Sequence, residues 1–178
     1  ENFEEEVISE KIVKDFINQT EIVNEKIEKM SFSDNDIVIY GLGGHAGMCI
    51  EIIRQNNKYS LVGFIDDNKS KDDKYNLKYC GTIDNLDYLI KSGLRNLIIG
   101  IGFINNLKKR EKLFKLLKSK INIPTVIHNS AIIEESAEIK EGCQIMAGAI
   151  IGTNVKINQN CIINSGAIIS HDTIIGMS

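Results

Sequence analysis

The stretch IHNSAIIEESAEIKEGCQIMAGAIIGTNVKINQNCIINSGAIISHDTII (127–175) places isoleucine at every sixth position without exception. The series is Ile127, Ile133, Ile139, Ile145, Ile151, Ile157, Ile163, Ile169 and Ile175. Two residues before each later member stands a smaller one: Ala131, Ala137, Cys143, Ala149, Val155, Cys161, Ala167 and Thr173. A helix repeats about every 3.6 residues and a flat strand about every 2, so neither explains this period. A triangular parallel coil does. Each flat face consumes six residues and sends one bulky aliphatic inward, while the smaller residue fits the tight corner. The spacing predicts a three-sided parallel β-helix with coils over 127–144, 145–162 and 163 onward.

Working outward, Pro124 is the only proline and falls where the six-residue rule begins. We set a domain boundary there, giving domains at 35–123 and 124–178. Upstream, DIVIY (36–40) reads as a buried strand and GLGGHAG (41–47) as a glycine turn. Met48 to Gln55 carries apolar residues at helical spacing. LVGFI (61–65) is a second strand, ending in Asp66-Asp67, and KSKDDKYN (69–76) is a polar loop. Ile83 to Ile90 reads as helix, NLIIGIG (96–102) as a third strand, and Asn106 to Ser119 as a basic amphipathic helix. Strands alternating with helices imply a parallel sheet covered on its faces. Only three or four strands fit, one half of a doubly wound fold. Residues 1–34 form a charged arm. Val7, Ile8, Ile12, Phe16 and Ile17 keep helical spacing, Gln19-Thr20 is a break, and a second helical stretch runs from about Ile22 to Met30. Met30 suits an original start, and the arm reads as a solvated extension without chemistry.

The chain has 178 residues, 43% hydrophobic and 25% charged, the balance of a soluble globular protein. A net charge of −3 opposes a nucleic-acid surface built on phosphate contacts. No stretch has the length of a membrane span and no apolar signal segment opens the chain, so a cytoplasmic protein is expected. The four cysteines include no Cys-x-x-Cys pair, and no metal is expected. Cys143 and Cys161 are one full turn of the prism apart and should stack about 4.8 Å from each other. A disulfide there is conceivable; two core thiols are the preferred reading.

Gly41, Gly43 and Ala46 match G-x-G-x-x-[GA] between a strand and a helix, the context in which that motif carries weight. The first glycine permits the turn. The second lets a phosphate approach the backbone, and the helix start offers unpaired N–H groups at the positive end of a dipole. Asp66 follows at the distance where an acidic residue meets a ribose hydroxyl. An NAD-dependent enzyme is the first rival. It fails on size, because a dinucleotide spans two halves and the chain has room for one. A half-site suits a nucleotide-linked substrate. A glycine turn needed only for packing stays open at this point.

GLGGHAG, FIDD, IIGIG and a prism containing NSGAIISHD, in that order, resemble the nucleotide-sugar acetyltransferases of the sialic acid O-acetyltransferase and bacillosamine N-acetyltransferase type. The likeness covers about Asp36 to Gly176. It implies a small Rossmann-like domain that binds a nucleotide sugar, a left-handed parallel β-helix that binds acetyl-CoA, and active sites between subunits of a homotrimer. Residue by residue, Gly41, Gly43, Gly44 and His45 would line the phosphates and sugar, and Asp66 and Asp67 would contact the nucleoside. His171 would be the general base, with Asp172 at the family's adjacent acidic position and Asn164 at its active-site asparagine. The product would serve cell-surface glycan biosynthesis. Alternatives are a nucleotide-sugar-binding module without catalysis, an O-acetyltransferase for a free sugar such as sialic acid, and a structural role through stacked prisms.

His171 falls two residues after the inward Ile169, which puts it on the corner side of the prism, outside the core. Neighbours on an extended segment point to opposite sides, so Asp172 is expected not to orient the imidazole of its own chain. It would reach a neighbouring subunit or tune the field instead. His128 reads as structural, with Asn129 where the family often has proline. The sequence stops at IIGMS, whereas the family continues for several coils. The expectation is a truncated β-helix that binds acetyl-CoA weakly or not at all.

Overall fold

The computed structural model describes residues 30–68, 75–102 and 107–177. The helices expected in the arm before Met30, and the loop at 69–74, lie outside the described residues. Elements run in the order β1 (Asp36–Tyr40), α1 (Gly44–Asn56), β2 (Ser60–Ile65), β3 (Lys78–Tyr79), a 3-10 turn (Ile83–Asn85) leading into α2 (Leu86–Lys91), β4 (Asn96–Ile99) and α3 (Leu107–Lys118). The four strands form one sheet in the order β3-β2-β1-β4, with every pairing parallel.

β1 is buried on both faces, which is why it reads as an unbroken apolar run rather than an alternating one. One face packs on Leu86, Leu89, Phe114 and Leu117, and Met30 and Phe32 also lean on this layer. The other packs on α1, whose Ala46, Cys49, Ile50 and Ile53 follow helical spacing. α1 stops at Asn57, which adopts the left-handed conformation that closes helices.

Two boundaries differ from the sequence reading. α1 begins at Gly44 rather than Met48, so the helix absorbs half of the glycine turn. The third strand ends at Ile99, and Gly100–Gly102 leave the sheet. A Cβ on Gly100 would stand 2.4 Å from the Gly41 carbonyl oxygen, so the two glycine segments cross too closely for a side chain there. The two-residue β3 was too short to carry a pattern.

The remaining strands are two residues each: β5 (Val126–Ile127), β6 (Ile132–Ile133), β7 (Glu138–Ile139), β8 (Gln144–Ile145), β9 (Ile150–Ile151), β10 (Lys156–Ile157), β11 (Ile162–Ile163), β12 (Ile168–Ile169) and β13 (Ile174–Ile175). They stack as three parallel sheets, β5-β8-β11, β6-β9-β12 and β7-β10-β13, the faces of a left-handed parallel β-helix. The isoleucine ladder and its smaller partners fill the interior. The buried Cys143 and Cys161 are free thiols within it, and their Sγ–H groups donate to the carbonyls of Asn158 and Gly176.

The corners obey a second six-residue rule. Gly142, Gly148, Asn154, Asn160, Gly166 and Asp172 all have positive φ. Glycine, asparagine and aspartate are the residues that tolerate this conformation.

The three faces differ outside. Lys156 pairs with Glu138 across β10 and β7. Ile132 and Ile168 of the second face are largely exposed. The face β5-β8-β11 packs against α1, and Val126, Met146 and Ile162 share its apolar cluster. Asn56 Nδ2 donates to the Ile127 carbonyl at 2.6 Å. The two layers therefore share a core across the Pro124 boundary. Among the described residues, no helix is long and apolar enough to cross a membrane.

The ladder makes a stability prediction. Ile151, fully buried, should cost about 2–4 kcal/mol when cut to alanine. Ile168, 72% exposed, should cost less than about 0.5 kcal/mol, although it lies on the paired strand beside Ile169, the register partner of Ile151. Urea melts of Ile151→Ala and Ile168→Ala read the difference; equal losses would refute the inward ladder.

Candidate active site

Between β1 and α1 the glycines have different jobs. Gly41 takes φ +84, and Ile101 Cγ1 would lie 2.6 Å from a Cβ placed there. The fold itself needs this glycine. Gly43 has φ −83, open to any residue, and no atom lies within 4 Å of the Cβ position at Gly43 or Gly44. The space they leave belongs to a cleft of about 460 Å³ lined by Tyr40, Gly41, His45, Asp67, Ile101 and Gly102, among others. The thirteen-residue α1 points its N-terminus at this cleft, and no side chain caps it. Its first amide N–H groups are thus available to an anion.

Asp66 and Asp67 both line the cleft, but each is tied to its own chain. Asp66 is buried. Its Oδ2 accepts from the Leu42 amide at 2.8 Å and its Oδ1 from the Asn68 amide at 2.9 Å. That carboxylate pins the glycine turn to the end of β2. Asp67 accepts from the Tyr40 hydroxyl at 2.7 Å and from the Ile83 amide at 3.1 Å. Burial, then Asp67, push the Tyr40 phenol upward, so it remains a donor. Each oxygen of Asp67 keeps a lone pair for a ligand hydroxyl.

His45 sits at the start of α1, and its Nε2 is 2.6 Å from Gln144 Oε1 on β8. Gln144 is almost fully buried and donates through Nε2 to the Ile99 carbonyl at 2.8 Å. Arg110 of α3, 3% exposed, reaches Gln144 Oε1 at 3.4 Å and also donates to the Ile101 carbonyl. Burial, then the Arg110 charge, lower the His45 pKa. Burial brings Arg110 down to about 10.

Neither Gln144 nor Arg110 carries a motif, and both were missed in the sequence. One signal was available. Gln144 is the polar member of an otherwise apolar outward row, between Val126 and Ile162 on the face that packs on α1.

His171 and Asp172 lie on a prism corner, both exposed. His171 Nδ1 is 2.7 Å from Asp172 Oδ2, and Asp172 Oδ1 accepts from Asn154 Nδ2 at 3.1 Å, one coil below. This corrects the expectation that the two side chains diverge. Asp172 has φ +56 and is a corner residue, not part of an extended segment. The left-handed turn swings its carboxylate onto the ring that precedes it. Hydrogen bonds from His171, then Asn154, hold the Asp172 carboxyl below the usual carboxylate range. Asn164 belongs to the previous corner, where its Oδ1 accepts from the Ser165 amide at 3.0 Å. His128 is a corner cap that binds Ser130 through Nδ1. A second cleft of about 400 Å³, where α1 meets the prism, includes His128 but none of the sequence-predicted site residues.

Residues 36–117 match the PglD N-terminal domain family. PerB from Caulobacter crescentus, solved with CoA and GDP-perosamine, has 28% identity and a TM-score of 0.73, over 83% of this chain and 69% of its own. A histidine-to-alanine variant of the GDP-perosamine N-acetyltransferase from that organism, with the same ligands, has 27% identity and a TM-score of 0.73, over 82% of this chain and 67% of its own. The chain is similar to nucleotide-sugar N-acetyltransferases in its amino-terminal domain and in its fold. The chain joins a parallel-sheet domain to a β-helix. The acetyltransferase domain of PglB from Neisseria gonorrhoeae, with acetyl coenzyme A, shares that fold at 21% identity and a TM-score of 0.69, over 80% of this chain and 67% of its own. No curated protein matches the chain significantly. Within the described chain, the glycine cleft and the His171 corner are built from separate parts. Gln144, which bonds His45, stands on β8, whereas the His171 corner stacks on Thr153 and Asn154.

Proposed function

We propose that the chain transfers acetyl from acetyl-CoA to the amino group of a nucleotide-linked sugar destined for cell-surface glycans, with His171 as general base. The observation that carries this is the pairing of His171 Nδ1 with Asp172 Oδ2 at 2.7 Å on an exposed corner. The carboxylate accepts a hydrogen bond from Nδ1–H, which leaves Nε2 as the ring's acceptor. As the sugar amine attacks the thioester carbonyl, Nε2 accepts the amine proton, and the C–S bond breaks to release CoA thiolate. The proton can then pass to that thiolate, so the base is regenerated without a covalent enzyme intermediate.

The open space at Gly43 and Gly44, beside the uncapped start of α1, suits the diphosphate. Tyr40, Asp66 and Asp67 supply polar groups for the nucleoside. A homotrimer, in which the corner of one subunit meets the cleft of another, would join the two halves. Asn164, on the neighbouring corner, would orient the acceptor.

The test is calorimetry with GDP- and UDP-linked amino sugars and with acetyl-CoA, alongside a thiol-release assay. Binding of both with CoA release is expected. Sugar binding alone would favour the non-catalytic module. The carboxylate makes a smaller prediction. Asp172→Asn keeps a side chain that tolerates positive φ, so the corner should persist while the rate falls about tenfold. An unchanged rate would remove Asp172 from the mechanism.

A further inference from the structure

We infer that Gln144, on the first coil of the prism, is the positioning residue that fixes the tautomer of His45 and makes its Nδ1 a bare hydrogen-bond acceptor in the glycine cleft. This deepens the nucleotide-sugar reading and rests on it for the identity of the ligand.

The argument is one of donors and acceptors. Gln144 Nε2 faces the Ile99 carbonyl, which accepts and never donates, so the amide nitrogen is on that side. The amide oxygen therefore faces both Arg110 Nη2 and His45 Nε2. An oxygen already receiving from a guanidinium can only receive again. His45 Nε2 must carry the proton. In a neutral imidazole the other nitrogen is then the acceptor. Nδ1 lies 3.5 Å from where a Gly102 Cβ would stand, and both His45 and Gly102 line the cleft. Among the described residues, nothing donates to it.

The charge state follows from the surroundings. Arg110, nearly fully buried, has no carboxylate within ion-pair distance among the described residues. Its positive charge and the burial of the ring both oppose a second proton on His45. Cys49, one turn along α1, is 3.6 Å from Nε2, and burial pushes its thiol up to about 12, so it stays uncharged. Asp66 and Asp67 line the same cleft, but both carboxylates are held by the donors described above.

His45 thus offers the ligand an acceptor and no positive charge. The group that meets Nδ1 must be a donor, a hydroxyl or an ammonium of the sugar or ribose, and not a phosphate oxygen. This sets the ligand's direction. The phosphates go to the amides of Gly43 and Gly44, and a donor-bearing ring goes to the His45–Gly102 side.

The full chain has three histidines, so ¹⁵N-labelled side-chain spectra can be assigned by substituting His128 and His171. In the free protein His45 is expected as the Nε2–H tautomer, with its midpoint below that of an ordinary imidazole. Gln144→Ala should mix the tautomers. Gln144→Glu should raise the His45 midpoint by about one to three pH units, because a carboxylate then faces the ring. An Nδ1–H tautomer in the wild type, or a spectrum indifferent to Gln144→Ala, would overturn the inference. The wild-type titration stands even if a variant does not fold. GDP and GDP-perosamine serve as probes of the cleft. Binding seen by calorimetry should move the Nδ1 resonance, and binding that leaves it unmoved refutes the acceptor role. If neither probe binds while the tautomer is as stated, the failure falls on the nucleotide-sugar reading and Gln144's role stands.

Discussion

Replacing His171 with alanine is expected to lower acetyl transfer by about 10²–10⁴-fold, the range spanned by a positioned general base. Nucleotide-sugar affinity should not change. The side chain is 74% exposed, so its loss leaves no buried cavity. The corner beneath it is held by backbone, with the Asp172 amide donating to the Thr153 carbonyl at 2.9 Å. Asn154 still reaches Asp172, so the variant isolates the imidazole. Two readouts are required. CoA release should collapse, and calorimetry with GDP-perosamine should superimpose on the wild type. Retained turnover would assign the base elsewhere. Joint loss of turnover and binding would mean that His171 belongs to the binding surface. The pH sign follows from Asp172, whose pKa is depressed by His171 and then Asn154. Any stability the pair adds is present above the ordinary carboxylate pKa and disappears as pH falls through the lower folded value. Its full exposure in water keeps that contribution small. His171→Ala should therefore flatten the acid limb of a stability profile only slightly.

Sequence reasoning found the β-helix because its period is enforced by geometry at every coil. Ile145, Ile151 and Ile157 occupy equivalent places, and a single polar residue there would break the core. The corner rule was as regular but written in three residue types, Gly142 to Asp172, and so went unread. That omission produced the error over Asp172, because its direction depends on the sign of φ, which a strand-like reading assigns wrongly. The glycine turn was legible as a motif, but the division of labour within it was not. Gly41 is needed because Ile101, sixty residues on, occupies its side-chain space. Gln144 and Arg110 escaped for the same reason: Gln144 meets His45 and Arg110 only when the prism is folded against the α/β layer. Local periodicity survives in sequence, whereas contacts across a domain joint do not.

That division of labour among the glycines carries the second large prediction. Gly41→Ala should destabilise the protein by about 2–4 kcal/mol, because it adds a side chain at φ +84 and drives it into Ile101. Gly43→Ala should leave stability unchanged or raise it by about 0.4–1 kcal/mol, since its backbone suits any residue and nothing stands near. The order reverses for ligand binding. A methyl at Gly43 enters the space where a phosphate would approach the α1 amides. Gly43→Val, with three heavy atoms there, should weaken nucleotide-sugar binding by more than about tenfold, the cost of losing one charge-assisted contact or more. Thermal melts and calorimetry on the three variants separate the roles. If Gly43→Val binds GDP-perosamine as the wild type does while melting normally, the diphosphate does not lie on the start of α1. If it melts early, a contact made by residues around the cleft has been disturbed, and Gly43→Ala becomes the decisive variant, because one methyl reaches the phosphate path without reaching any neighbour.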